Sequence, residues 1–179
     1  MGIFGTYRYH EPWEPVDVEV VAKCGLPRYS LYWKKCETRD GKSRVLYHEK
    51  LKFLSLRHKT DIYDATDRLV AHYERELLSL HYRYYIRMDD GNALETYTRD
   101  DKIEISPLGW IVRMEKFCRN CTLFDAEGRV LAFIAQKKWA MNTQYSIDIY
   151  APEAEKFIVT ITSVIQTMFE DATANYSGV

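Results

Sequence analysis

The sequence predicts a mainly β protein: an antiparallel barrel of about twelve strands, closed around a buried, hydrophobic C-terminal α-helix. Three observations carry that prediction. Short stretches such as "YYIRM" and "YSIDI" alternate apolar and polar residues, which is the period of a half-buried strand. A pattern of residues recurs at fixed offsets, so the sheet is built from copies of one unit. The last apolar stretch, "PEAEKFIVTITSVIQTMFEDA", changes to helical spacing.

The strands come first. In "KFLSLRH", Leu54 and Leu56 share one face while Phe53, Ser55 and Arg57 share the other. Tyr84, Ile86 and Met88 share a face, and so do Tyr145, Ile147 and Ile149. Fourteen tyrosines in a chain with 14% aromatic residues add to the lean towards sheet. Turn signals punctuate the chain at Asp40-Gly41, Asp90-Gly91, Glu127-Gly128 and Pro107-Leu108-Gly109.

The repeat orders these strands. "FLSL" at Phe53–Leu56 returns as "LLSL" at Leu77–Leu80, and on the same offset Ile62 meets Ile86. A longer offset carries "YDATDRLVAH" (Tyr63–His72) onto "FDAEGRVLAF" (Phe124–Phe133), and Tyr84 onto Tyr145. The short unit holds two strands of ordinary length with their turns, and a pair of units is itself repeated. The Asp-rich copies read as turns. Asp64 and Asp125 stand where a carboxylate accepts a backbone N–H two residues on. Asp67 and Gly128 stand where the chain enters the left-handed region. A metal loop needs several oxygens converging on one ion, and each copy offers only one or two acids.

The helix comes last, at about residues 152–171. Phe157, Ile161, Val164, Ile165, Met168 and Ala172 form its stripe, widened by Ile158 and Phe169. Pro152 suits the first turn, and Glu153 and Glu155 lie near its positive dipole end. The opposite side is only mildly polar (Thr160, Thr162, Ser163, Gln166, Thr167), so the helix is expected to be buried on most sides. A helix is about 10–12 Å wide, and an eight-stranded barrel is filled by its own side chains, so about eleven or twelve strands are needed to enclose one.

The 179 residues suit a single domain. Residues 1–28 are expected to be an N-terminal segment packing on the barrel, and residues 29–179 the barrel domain. A net charge of −1 gives no overall case for nucleic acid. With no secretory h-region and no membrane span, the expectation is a cytoplasmic protein with reduced thiols, at most peripheral to a membrane. Met1-Gly2-Ile3-Phe4-Gly5-Thr6 fits the loose myristoylation pattern. Cys118 and Cys121 form half of a zinc pattern, but Cys24 and Cys36 do not complete it. The cysteines therefore read as small hydrophobes, with no metal or other cofactor expected.

The stretch "EKLKFLSLRHKTDIYDATDRLVAHYERELLSLHYRYYI", then "TLFDAEGRVLAFIAQKKWAMNTQYSIDI" and a closing apolar helix, resembles the LURP-one-related family. The likeness covers Leu31 to Asp171. That family is similar to the tubby carboxy-terminal domain and the phospholipid scramblases. The resemblance implies a twelve-stranded barrel wrapped around a hydrophobic C-terminal helix. Tubby domains bind phosphoinositide headgroups and scramblases act at membranes. The chain does not carry the proline-rich segment, cysteine cluster or terminal membrane helix of scramblases, so lipid scrambling is not expected.

The function expected is a non-catalytic binding or scaffold module. Its partner is an anionic phospholipid headgroup or another protein. Candidate headgroup contacts are Lys34, Lys35, Arg57, His58, Lys59, Lys137 and Lys138, the last two beside Trp139. Cations of this kind hold phosphates while an aromatic rests at the interface. The plainer reading is that they are outward strand and turn positions kept basic for solubility and edge protection. An enzyme is not expected. His10, His48, His58, His72 and His81 form no HxH or HExxH pattern, and neither a G-x-S-x-G elbow nor a Gly-rich phosphate loop occurs. Asp89-Asp90 and Asp100-Asp101 read as turns, since acid–base work needs two carboxyls pushed apart in pKa.

Overall fold

A computed structural model describes residues 28–32, 37–40, 42, 44–52, 59–77, 82–99, 102–115, 120–136 and 144–176, with side chains for all but 28–32, 144 and 170–176. The strands are β1 (Arg28–Tyr32), β2 (Glu37–Arg39), β3 (Val45–Lys52), β4 (Lys59–Asp64), β5 (Leu69–Arg75) and β6 (Tyr84–Met88). They continue as β7 (Ala93–Arg99), β8 (Lys102–Ser106), β9 (Trp110–Met114), β10 (Cys121–Phe124), β11 (Val130–Gln136) and β12 (Gln144–Ile149). A 3-10 turn at Pro152–Ala154 leads into α1 (Glu155–Tyr176).

The fold is mainly β: one antiparallel sheet with one C-terminal helix. Each strand pairs with its chain neighbours, and the order is β1-β12-β11-β10-β9-β8-β7-β6-β5-β4-β3-β2. β1 lies between β2 and β12, with Leu31 opposite both Thr38 and Tyr145.

The repeat maps onto this sheet strand for strand. The 61-residue step from Asp64 to Asp125 carries the span of β5 onto the span of β11. The 24-residue step from Ile62 to Ile86 carries β5 onto β7. The short unit is thus a hairpin, and the long step moves six strands around the sheet.

Alternation sets the inner face. Tyr84, Ile86 and Met88 of β6 are buried while Arg87 is exposed, and β8 alternates Ile103 and Ile105 with exposed Lys102, Glu104 and Ser106. β11 departs from this rule. Ala132 and Ile134 join the core, but Phe133 and Ala135 of the opposite phase are buried too. Ser146 and Asp148 of β12 behave likewise. Burial on both faces explains why "VLAFIA" reads as one apolar run instead of alternating.

The helix packs against the sheet and is buried. Every residue from Ile158 to Met168 is buried, including Thr160, Thr162, Ser163, Gln166 and Thr167. The expected stripe faces the core, but the mildly polar side does not reach water. The helix also outruns its expected end at residue 171 and continues to Tyr176. Nothing in "DATANY" breaks it, since the first Gly or Pro beyond is Gly178. Trp110 packs edge-on against Phe157, with ring centroids 5.9 Å apart, and Lys156 Nζ reaches Asp89 Oδ2 at 2.8 Å. Among the described residues no helix is long and apolar enough to cross a membrane. Apart from Arg28, the expected N-terminal segment lies outside the described residues.

Candidate functional site

Antiparallel strands joined in sequence place their connections at alternate ends. The links β2–β3, β4–β5, β6–β7, β8–β9 and β10–β11 share one end, here the turn end, where α1 also begins. The remaining six links share the opposite end.

The turn end is held by one repeated device. Asp125 Oδ1 accepts the N–H groups of Glu127 at 3.0 Å and Arg129 at 2.8 Å, and Arg129 Nε donates to Asp125 Oδ2 at 2.6 Å. Asp64 does the same with Thr66 N–H at 2.8 Å, Arg68 N–H at 3.1 Å and Arg68 Nε at 3.1 Å. The turn residues Gly128 and Asp67 have φ of 80° and 61°, in the left-handed region. A bulge follows in both hairpins, between Leu123 and Phe124 and between Ile62 and Tyr63. The Asp copies are therefore turns, as their sequence implies.

A further copy escaped the sequence reading. Asp40 Oδ1 accepts Lys42 N–H at 2.9 Å and Arg44 N–H at 2.8 Å, and Arg44 Nε donates to Asp40 Oδ2 at 2.7 Å. The signal was available, because Asp40 and Arg44 lie one short unit before Asp64 and Arg68. In the next unit Met88 and Asn92 replace the pair, and Asp90 caps the turn through Asn92 N–H at 2.9 Å. The carboxyls of Asp40, Asp64 and Asp125 all lie below the ordinary carboxylate range. For Asp40 the bond from the Arg44 N–H dominates, for Asp64 that from the Thr66 hydroxyl. For Asp125 desolvation opposes the shift and is outweighed by the bonds from Arg129. With both oxygens engaged, these carboxylates are not arranged around an ion. Among the described residues no group of three or more His, Cys, Asp or Glu side chains is placed to hold a metal. Cys121 is buried in the core, and Cys24, Cys36 and Cys118 lie outside the described residues.

The interior holds a polar cluster that the sequence reading missed. Glu49 lies on the inward phase of β3 between Tyr47 and Leu51, and is 7% exposed. Tyr73 of β5 bonds Ser163 Oγ at 2.8 Å and Thr167 Oγ1 at 2.9 Å on the helix. Tyr47 donates to Glu155 Oε1 at 2.6 Å. Burial pushes the Glu49 carboxyl up to about 7, with Ser163 offsetting only part of it. Desolvation and the nearby Glu49 raise Tyr73 as well. Among the described residues neither Glu49 oxygen has a partner at hydrogen-bonding geometry. The available signal was an acid in phase with Tyr47 on an alternating strand.

The outer face of β3–β5 is a lattice of paired charges and rings. Lys52 Nζ and His72 Nδ1 lie 2.9 Å and 2.5 Å from the Asp61 carboxylate. Desolvation would raise the Asp61 carboxyl, but its bonds to Lys52 and His72 prevail and lower it. His48 stacks on Tyr63 at 5.4 Å, and Lys50 Nζ sits 4.4 Å from the centroid of that ring.

Of the predicted contacts, Lys59 alone is among the described residues. It starts β4 on the outer face, half-buried, with Nζ 3.2 Å from Glu74 Oε2. Lys34, Lys35, Arg57, His58, Lys137 and Lys138 lie outside the described residues, as does Trp139. The strands flanking them are described. Tyr32 and Glu37, Lys52 and Lys59, and Gln136 and Gln144 are strand termini at the end opposite the turns. Links at that end carry eight Lys and Arg against four Asp and Glu, whereas links at the turn end carry four against six.

Residues 26–166 match the LURP-one-related family, well over half of the 179 residues. A protein from Arabidopsis thaliana, known from its X-ray structure, has a similar fold. The TM-score is 0.59 at 12% sequence identity, over 79% of this chain and 90% of that one. At that identity the likeness speaks for the fold alone. No curated protein matches the chain. The match across the strands and into the helix bears out the resemblance drawn from "FDAEGRVLAF" and its copy: the chain belongs to the LURP-one-related family.

Proposed function

We propose that the protein is a non-catalytic binding module, a closed barrel plugged by its own helix, which recognises anionic phospholipid headgroups at a membrane surface. One observation carries the reading: the charged residues of the links divide unequally between the two ends of the sheet. The end opposite the turns has an excess of cations, and the flanking strand termini belong to the links that hold Lys34, Lys35, Arg57, His58, Lys137 and Lys138. Each Lys or Arg near an anionic leaflet contributes about 1 kcal/mol, and the attraction weakens with salt. The absence of catalysis is part of the proposal. Glu49 is a single perturbed acid with no second carboxyl beside it among the described residues, and paired acid–base chemistry needs two.

The test is sedimentation with phosphatidylcholine vesicles that do or do not contain phosphatidylserine, at low salt. Binding is expected only to the anionic vesicles. Charge reversal at Lys137→Glu with Lys138→Glu should weaken it by roughly tenfold or more, while Lys42→Glu at the turn end should leave it unchanged. No binding at low salt, or equal loss in both variants, overturns the lipid reading. The alternative is a protein-docking module without lipid binding. It is favoured by the outer face, where exposed Tyr97 lies against Arg83, whose guanidinium carbon is 4.4 Å from the ring centroid. Tyr and Arg of this kind recur at interface hot spots.

A further inference from the structure

The inner face of the sheet packs on the helix. Most of its lining is hydrocarbon, from Ile62 to Ile149. One buried polar group is linked through Tyr73 of β5: Glu49 from β3, Thr60 from β4, and Ser163 and Thr167 from α1. Thr160, one turn before Ser163, is buried on the same stripe of the helix. Helix and sheet meet here through hydroxyls, because Tyr73 is held by Ser163 at 2.8 Å and Thr167 at 2.9 Å. Thr167 also donates back to the carbonyl of Ser163 at 3.1 Å. A buried carboxylate requires a counter-charge or several donors, since unpaired burial of an ion is far costlier than burial of the neutral acid.

Glu49 has neither. Both its oxygens are shielded from solvent and lack a hydrogen-bond partner among the described residues. The titratable and charged groups around it are few among the described residues. Tyr73 faces it from β5, and Tyr47 shares its face of β3 but is taken by Glu155 of α1. From β4 come only Thr60 and Ile62, and β2 offers Thr38. Arg75 is in phase with Tyr73, two residues towards the end opposite the turns, where its guanidinium lies 4.7 Å from the Tyr82 ring centroid. Among the described residues no cation contributes to the environment of Glu49, and Ser163 is the one helix group that acts on it favourably.

We infer that Glu49 is a proton-operated catch between β3 and the helix. Protonated, the carboxyl is neutral and donates to a helix hydroxyl, and the Tyr73–Ser163–Thr167 chain stays intact. Ionised, it draws the Ser163 hydroxyl proton towards itself, competes with Tyr73 for that group and leaves a charge in hydrocarbon. The helix is then seated less firmly against β3–β5. The raised carboxyl puts this change close to neutrality. The device is independent of what the exterior binds.

The sign follows from linkage. The folded-state value lies above the unfolded one, so folding takes up a proton between the two. The stabilisation is fully present below the unfolded value of 4.5 and is lost as pH rises to about 7 and just beyond. Across that window the folding equilibrium constant should fall by roughly 300-fold from this group.

The experiment uses the full chain and its Glu49→Gln variant. Equilibrium unfolding in urea is measured from pH 5 to 8.5, and hydrogen exchange is followed for the amides of Ile158–Met168. The wild type should lose stability towards high pH, with helix protection falling beyond the intrinsic pH effect. The variant should lack that component in both measurements. An unchanged pH slope in the variant overturns the proposal. Carbon-13 NMR of the Glu49 carboxyl in the wild type gives a second reading should the variant not fold. Titration near neutrality supports the catch, and titration near 4.5 refutes it.

Discussion

Replacing Asp125 with Ala removes the acceptor that closes the β10–β11 turn. The carboxylate takes two backbone N–H groups, at 3.0 Å and 2.8 Å, as well as the Arg129 side chain at 2.6 Å. The two backbone bonds matter most. A hydrogen bond to a charged acceptor is worth about 1.5 to 3 kcal/mol when buried. Asp125 is only 6% exposed, but water can reach the freed N–H groups at a surface turn, which cuts each loss to about 1 kcal/mol. The Arg129 side chain is 74% exposed, so its ion pair adds well under 1 kcal/mol. Asp125→Ala should therefore cost about 2 to 3 kcal/mol, and Asp125→Asn, which keeps the Oδ1 acceptor, about 1 kcal/mol. Urea unfolding at pH 7, followed by tryptophan fluorescence, measures both. The carboxyl is lowered in the fold, so its stabilisation is present above the unfolded value and fades as pH drops through the folded one. The gap between wild type and Ala variant should shrink in acid. An Ala variant within about 0.5 kcal/mol of wild type, a typical surface effect, would refute the turn account, as would an Asn variant equally damaged.

Other substitutions test the same reasoning elsewhere. Gly128→Ala should cost about 1 to 2 kcal/mol in thermal or urea unfolding, because φ is 80° while the space for a methyl is open. Gly109→Ala should cost more, since its added Cβ would also stand 3.2 Å from the Cβ of Ala126. Tyr73→Phe should lower stability by about 1 to 3 kcal/mol, leaving Ser163 and Thr167 without their shared partner in the interior. The same measurement on Tyr85→Phe, whose hydroxyl bonds Glu76 at 3.0 Å near the surface, should show a smaller loss.

The fold was legible because its rules are local and repeated. Alternation marks the buried side of β6 and β8 residue by residue, and the Asp-to-Arg spacing marks the hairpins. Where one local rule is met by a second layer, the reading thins. Phe133 and Asp148 are buried on the outer side of the sheet, and no periodicity distinguishes that from burial inside. The helix was found by its apolar stripe, but the fate of its polar stripe depended on what stood opposite. Thr160, Ser163 and Thr167 look like a weakly solvated face until Glu49 and Tyr73 arrive beside them from strands about a hundred residues earlier.

The charge pattern depends on topology in the same way. Lys34, Arg57 and Lys137 are separated along the chain by other cations and by acids, so a sum over the sequence returns nearly zero. In an up-and-down antiparallel sheet every second link comes to the same end, and such a sheet sorts its links by parity. Asp40, Asp64, Asp89, Asp90 and Asp125 lie in or beside links of one parity, where four of them form or brace tight turns. A turn that needs an Asp acceptor thereby biases one end towards negative charge. Links of the other parity have no such requirement in this repeat and are at liberty to be basic. The unequal charge of the two sets of links thus follows from the same turn chemistry that builds the sheet.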